Sequence, residues 1–428
     1  MFYNRQPYIK GDDHWTRCSD EDLGDIIKNR VGRDMALRLL DSVFDTVIRK
    51  LKAVPELRVD WTEENAKHRH EVNLKNGVFH VMEQKLTPNP RDRPFTYVLD
   101  ASYIPNSKLE QASCFRHYIK TSIGDENYDC LMRMIGYVLS SLIKGRKAFV
   151  LIGNGGTGKS TLLNLLEAIV GEEFVSREPF HTMGAPNSIA RYVDKKVNIS
   201  RENGVTPMRN EDGFKSLVSC EGITGRDVYE KAVSFLPSLK FVFGSNHDLY
   251  SAHPDDAVYD RLVVILFTRE IAQRDLDLDT KLFQERDVIV SLALDSLKDL
   301  VSSGYDFKES ETSRRYIEIK RKELHSAESF LEECCVTEQN AAVSRQDLYR
   351  AYEIWSDQNG MKAIGRNEFY DHVRQWNQKI QDRKVSQDGN RFYGFVGIKL
   401  LNGSEFKVEP EENNDQNDVT HGGQVSGM

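Results

Sequence analysis

Three observations on the 428 residues predict an α/β fold: a mostly parallel sheet, helical segments before it and a winged-helix-like unit after it. Short apolar runs alternate with helical stretches between residues 147 and 305. A glycine-rich phosphate loop, GNGGTGKST at residues 153–161, lies between one such run and a helix. Three helical stretches and a strand pair then follow, the order of a winged helix.

The composition, 39% hydrophobic and 29% charged, is that of a globular chain long enough for two or three domains. Apolar runs reach about six residues against the roughly 20 of a membrane span, so no membrane partner is expected. The first twenty residues hold no apolar stretch flanked by basic ones, which excludes a secretory signal and predicts a cytoplasmic protein, in the host cytoplasm if viral. Cysteines 18, 114, 130, 220, 334 and 335 form no C-x-x-C pair or zinc spacing, so neither disulfides nor structural zinc are expected. The net charge of -8 argues against a protein that coats nucleic acid. Five of those charges sit in residues 404–428, where six acids face Lys407 in a polar segment expected to be disordered.

Along the chain, residues 1–108 form an α+β region. It contains a helix over 34–54, with apolar residues 39, 40, 43, 44, 47, 48 and 51 on one face, and strand-like runs turning at Asn76 and Gly77. Residues 109–146 are a helical extension, with Leu131, Ile135, Val138, Leu139 and Leu142 at helical spacing. Residues 147–305 are the nucleotide-binding core, whose AFVLIG, VNIS, LKFVFGSN and LVVILF read as buried parallel strands. Residues 306–403 are the winged-helix-like unit, closed by a strand pair turning at Asp388 and Gly389.

The loop comprises Gly153, Asn154, Gly155, Gly156, Thr157, Gly158, Lys159, Ser160 and Thr161 and fits G-x-x-x-x-G-K-[ST]. Its glycines let the backbone curl so that N–H groups and the next helix's N-terminus face phosphates, which predicts ATP or GTP binding. Lys159 is expected to neutralise the β/γ oxygens and Ser160 to ligate Mg²⁺. Two further strand ends carry candidates. Glu202 ends KKVNISREN, where a carboxylate holds Mg²⁺ through water or polarises the attacking water, and Asn246 ends LKFVFGSN, where an amide positions that water. Taken singly, each is also readable as a surface polar residue after a strand. Arg261 is either an ion-pair partner of Asp256 or Asp260 or an arginine finger reaching a neighbouring subunit's nucleotide.

The order phosphate loop, acid, Asn, Arg at these spacings resembles superfamily 3 helicases, in the poxvirus and phage primase-helicase branch. The resemblance covers residues 70–400. "LKNGVFHVMEQKLTPNPRD" looks like that branch's pre-helicase segment, "GFKSLVSCEGITGRDVYEKAVSFLPSLKFVFGSN" like the stretch between Walker B and sensor 1, and "FLEECC…DLYRAYEIWSDQNG…RNEFYDHV" like its C-terminal helical module. It implies an AAA+-like core, a hexameric ring and ATP-driven 3′ to 5′ translocation on single-stranded DNA. Residue by residue it implies Lys159 and Ser160 for Walker A, Glu202 for Walker B, Asn246 for sensor 1 and Arg261 for the finger. The chain departs from the family at Arg226, where a Gly is usual, and after Asn246, where a Pro is usual. At Walker B it has Arg201 before Glu202 instead of an acidic pair, with Asp194 as a candidate helper or a turn residue.

In the family the hairpin before sensor 1 grips DNA. Here that is residues 226–235, with Lys231 the first candidate and Arg226 the second. Residues 212–240 carry four bases and four acids, so Lys231 is equally readable as a solvated charge, until a ring multiplies it about six-fold around a channel. A second candidate DNA surface is 362–399, where eight bases face four acids around Trp376, Phe392 and Tyr393. The function expected is a replicative DNA helicase using ATP and Mg²⁺. The alternatives are a P-loop ring ATPase that remodels or packages without unwinding, and a small-molecule kinase, which the long helical flanks disfavour. A start within the pre-helicase segment predicts a primase or polymerase domain upstream on the same chain.

Overall fold

The computed structural model describes residues 1–3, 6–12, 14–90, 95–201, 203, 206–225, 233–235, 238–248, 255–269, 275–361, 363–387 and 390–401. The fold is α/β, with a five-stranded parallel sheet and many helices. No helix among the described residues is long and apolar enough to cross a membrane. The packing separates two units, Met1–Ile317 and Glu318–Met428. The sequence reading divides the chain at 306 instead. The division falls later because Tyr316 and Ile317 still pack on the sheet's core.

The first unit begins with three antiparallel strands, Phe2–Tyr3, Gln6–Lys10 and Trp15–Arg17, and a helix, Asp20–Val31, that the apolar pattern does not reveal. Its signal is a capping box: Ser19 Oγ accepts from the Asp22 N–H at 3.0 Å, and the Asp22 carboxylate accepts from the Ser19 N–H at 2.9 Å. The single helix expected over 34–54 is two, Arg33–Arg38 and Asp41–Leu51, with Leu39 and Leu40 extended between them. Only Phe44 and Ile48 of the expected apolar face are buried; Leu40 is 75% exposed. The strands Glu71–Leu74 and Gly77–His80 pair as a hairpin across Lys75 and Asn76.

Next come α1 (Ser113–Ser122) and α2 (Tyr128–Leu139), then β1 (Ala148–Gly153) and α3 (Lys159–Val170). They are followed by β2 (Val175–Ser176), β3 (Val197–Ser200), α4 (Glu211–Val218), β4 (Lys240–Ser245) and β5 (Leu262–Phe267). Helices α5 (Leu278–Gln284) and α6 (Arg286–Ser302) complete the core. All pairings are parallel and the order is β5-β1-β4-β3-β2, so the four expected strands all enter one sheet, joined at its edge by the short β2. Both faces are covered, which is why the strands read as continuous apolar runs. Phe149, Leu151, Val242 and Ile265 pack in the core that includes α2, α3 and α6. Val150, Phe241, Phe243 and Val264 pack in the other, with Phe180 and Phe214.

The second unit contains α7 (Ser326–Cys334), β6 (Cys335–Ser344), α8 (Arg345–Gln358), α9 (Arg366–Trp376), β7 (Gln381–Gln387) and β8 (Asn390–Leu400). The strands form an antiparallel sheet in the order β6-β8-β7. Phe330, Tyr352 and Phe369 centre a core of its own, Tyr352 stacking on Phe369 at 4.4 Å. Strand β6 is not expected from the sequence, because CVTEQNAAVS lacks alternation and its register shifts between Thr337 and Ala342. All six cysteines are free thiols, including the vicinal Cys334 and Cys335. The expected turn at 388 and 389 and the expected disordered tail lie outside the described residues.

Candidate nucleotide-binding site

In a doubly covered parallel sheet the carboxyl ends of the strands are where ligands bind, at the point where strand order reverses. Strand β1 lies between β5 and β4, and the chain leaves its carboxyl end directly into the phosphate loop and α3. Gly158 caps α3 with φ +97°, a left-handed conformation that a side chain resists, and a Cβ there would meet Ser122 Oγ at 2.7 Å. Tyr118 of α1 donates its hydroxyl to the Gly158 carbonyl at 2.9 Å, so the helical extension braces the loop. Within the loop, Thr157 Oγ1 donates to the Asn154 carbonyl at 2.9 Å.

A cleft of about 1020 Å³ opens over this loop. Lys159, Ser160 and Thr161 line one side; His117, Tyr118 and Thr121 of α1, Arg201 and Asn246 line others. Lys159 Nζ donates to the carbonyls of Gly153 at 2.6 Å and Asn154 at 2.8 Å, and burial pulls its ammonium below its ordinary range. Ser160 is exposed at the start of α3. Asn246 is exposed one residue beyond β4, so residues from two distant strand ends share the cleft.

The ends of β3 and β4 are stitched together by Asn203, a buried residue that sequence reasoning missed. Its Nδ2 donates to the Gly244 carbonyl at 2.9 Å, and its Oδ1 accepts from the Phe180 N–H at 2.8 Å. Glu202 lies outside the described residues, as do Lys231 and Arg226; the flanking Ile223–Gly225 and Val233–Phe235 pair antiparallel as a hairpin. Arg201, also missed, projects into the cleft and pairs with Glu167 of α3, which also pairs with Arg177. Burial alone would raise the Glu167 carboxyl, but hydrogen bonds and charge from the two arginines outweigh it and hold it below the ordinary range. Arg201 and Asn203 flank Glu202 in the sequence SREN, a polar run straight after an apolar one that could have marked both. Tyr118 left no signal, being 40 residues from its partner.

Two candidates are not brought to the cleft. Arg261 precedes β5 at the opposite end of the sheet, about 20 Å along the strand from the loop at ~3.3 Å per residue. Its guanidinium donates to the Ala257 carbonyl at 2.7 Å and to Ser219 Oγ at 3.2 and 3.3 Å. Asp194 is a turn residue, not a metal helper: it sits at φ +60° before β3 and accepts from Tyr8 Oη at 2.7 Å and Arg17 at 3.4 Å. No group of three or more His, Cys, Asp or Glu among the described residues is arranged to hold a metal ion.

Residues 151–261 match the model of a family of unknown function (DUF5906), and residues 325–402 match the RFX DNA-binding domain. The first match covers the loop, Arg201 and Asn246, about a quarter of the chain, but not the α1 side of the cleft; the second covers α7 to β8. Two solved apo structures of the NrS-1 C terminal region align over 92% of this chain and 94% of theirs, at 11% and 12% identity and a TM-score of 0.47. At that similarity they bear on neither mechanism nor fold.

Proposed function

We propose that the chain is an ATP-dependent DNA helicase that forms a ring, most simply a hexamer, and couples hydrolysis of the β–γ phosphoanhydride to movement along single-stranded DNA. The observation that carries this reading is the cleft shared by Lys159, Ser160 and Asn246 at the carboxyl ends of β1 and β4. In it, the loop's N–H groups and the start of α3 cradle the phosphates, Lys159 turns from its loop carbonyls to the β/γ oxygens, and Asn246 orients the attacking water. The described donors suit a Mg²⁺ that arrives with the nucleotide and would be held by the Ser160 hydroxyl and phosphate oxygens, rather than an all-protein cage; Glu202, outside the described residues, is its proposed carboxylate. When bound, that ion neutralises phosphate charge.

In this reading the first unit's core is AAA+-like and the second unit is winged-helix-like, with β7 and β8 as its wing. The RFX DNA-binding match over residues 325–402 supports a DNA partner. The segment between the paired strands Ile223–Gly225 and Val233–Phe235 is proposed as the pore element, with Lys231 and Arg226 as its DNA contacts. Arg261, remote from its own cleft, acts on a neighbour's. The balanced charge of residues 212–240 favours one competing reading, a ring ATPase that remodels or packages without unwinding.

The deciding experiment measures ATPase activity of the full chain with and without single-stranded DNA, alongside strand separation. Helicase function predicts stimulation by DNA, with both activities abolished in Lys159→Ala. Retained unwinding in that variant overturns the proposal, and DNA-independent turnover without unwinding favours the remodeller.

A further inference from the structure

Where the resembling family carries an acidic pair at the end of the Walker B strand, this chain has Arg201 followed by Glu202. The side chain of Arg201 is 33% exposed and faces the cleft that also holds Lys159, Ser160 and Asn246. Its guanidinium is anchored through Nε and Nη2. Nε and Nη2 donate to Asn164 Oδ1 at 3.3 and 2.9 Å, and Nη2 also donates to Glu167. Nη1 makes no hydrogen bond to a described residue.

The anchors are themselves fixed. Asn164 Nδ2 donates to Asp279 Oδ2 at 2.7 Å, and Glu167 is gripped from its other side by Arg177. Asn164 and Glu167 stand on α3, the helix that begins with Lys159, so the arginine is tied to the element that follows the phosphates. On its other side the Arg201 backbone lies against β4: a Cβ on Gly244, two residues before Asn246, would be 3.3 Å from the Arg201 carbonyl oxygen. The result is a planar donor fork held at Nε and Nη2 by α3, with Nη1 left without a hydrogen-bond partner among the described residues, in the cleft that Asn246 also lines. Such a preorganised fork is suited to a phosphate oxygen.

We propose that Arg201 reads the terminal phosphate in cis: Nη1 donates to an oxygen of the nucleotide's third phosphate while Nη2 stays on Glu167. This deepens the nucleotide-site reading and rests on it. It adds a positive charge where the family has a negative one, and it makes discrimination between tri- and diphosphate a property of a single subunit.

The test is the affinity of the full chain for ADP and for a non-hydrolysable ATP analogue, by calorimetry, with thermal melting in parallel. Arg201→Gln is expected to cut the preference for the triphosphate about tenfold, the scale of one charge-assisted hydrogen bond, while ADP affinity changes by less than about twofold. Arg201→Lys, which keeps the charge and loses the fork, should restore part of that preference. Glu167→Gln keeps the arginine but loosens its clamp and moves the preference the same way by a smaller factor, which serves if Arg201→Gln does not fold. A lowered melting temperature with the triphosphate preference unchanged would mean that Arg201 only holds Glu167, and overturns the proposal. Failure of the unsubstituted chain to bind either nucleotide removes the nucleotide-site reading itself.

Discussion

Lys196 and Lys240 are buried at the amino ends of β3 and β4, the edge of the sheet away from the cleft. Lys196 Nζ donates to the Ser140 carbonyl at 2.9 Å and Ser141 Oγ at 3.1 Å and lies 3.9 Å from the Tyr97 ring centroid. Lys240 Nζ donates to the Ser238 carbonyl at 2.7 Å and lies 4.9 Å from the Tyr137 ring centroid. Burial lowers them to about 7 and about 8. Each folded value is below the unfolded value near ~10.4, so above about pH 7 the unfolded chain binds more protons and stability rises with pH. Below the folded values both states are charged and the full cost of burial is felt. Thermal melting at about pH 6.5 and about pH 8.5 should therefore show a higher midpoint at the higher pH, with a smaller rise in Lys196→Met. Equal rises in the two proteins would assign the dependence to other groups. Neither lysine was legible as buried: each flanks an apolar run, and only the pairing of Lys240 N–H with the Lys196 carbonyl shows them on one edge.

Among the elements, the contact of α2 with α6 depends on one glycine. A Cβ at Gly136 would lie 2.3 Å from the Ala293 carbonyl oxygen, a backbone atom that cannot move aside. Gly136→Ala is expected to destabilise the first unit by about 1–3 kcal/mol through overpacking. In urea, the midpoint should fall with the m-value unchanged; an unchanged midpoint would show that the two helices separate easily. Helical periodicity marked the α2 positions Leu131, Ile135, Val138 and Leu139, all of them buried. It overreached at residues 39 and 40, because a stripe of apolar residues is helical only where a surface exists to cover it. There Phe44 and Ile48 find one and Leu40 does not.

For the whole molecule, the two units have separate cores, and that of the second is closed by its own aromatic residues. Residues 318–428 expressed alone should melt in one cooperative transition and, under the proposed function, bind duplex DNA in a salt-dependent way. On β7 and β8, Lys384 lies 5.0 Å from the ring centroid of Tyr393, which is 55% exposed, and Arg383 precedes it. Replacing Arg383 and Lys384 by Ala should lower the slope of log affinity against log salt by about two. An unchanged slope would move DNA contact off this hairpin.

The sequence by itself determined the four main strands of the sheet, the helix-spaced core positions before it and the phosphate loop between β1 and α3. Buried strands, amphipathic helices and glycine loops all write local, periodic patterns. Only the tertiary structure decided what surrounds that loop. Strand order brings Asn246 and Arg201 to one cleft and carries Arg261 to the far edge. A brace from Tyr118 and a stitch from Asn203 join residues about 40 apart in the chain. These depend on which strand lies beside which and on which end of each faces the cleft, neither of which has a period for a sequence to display.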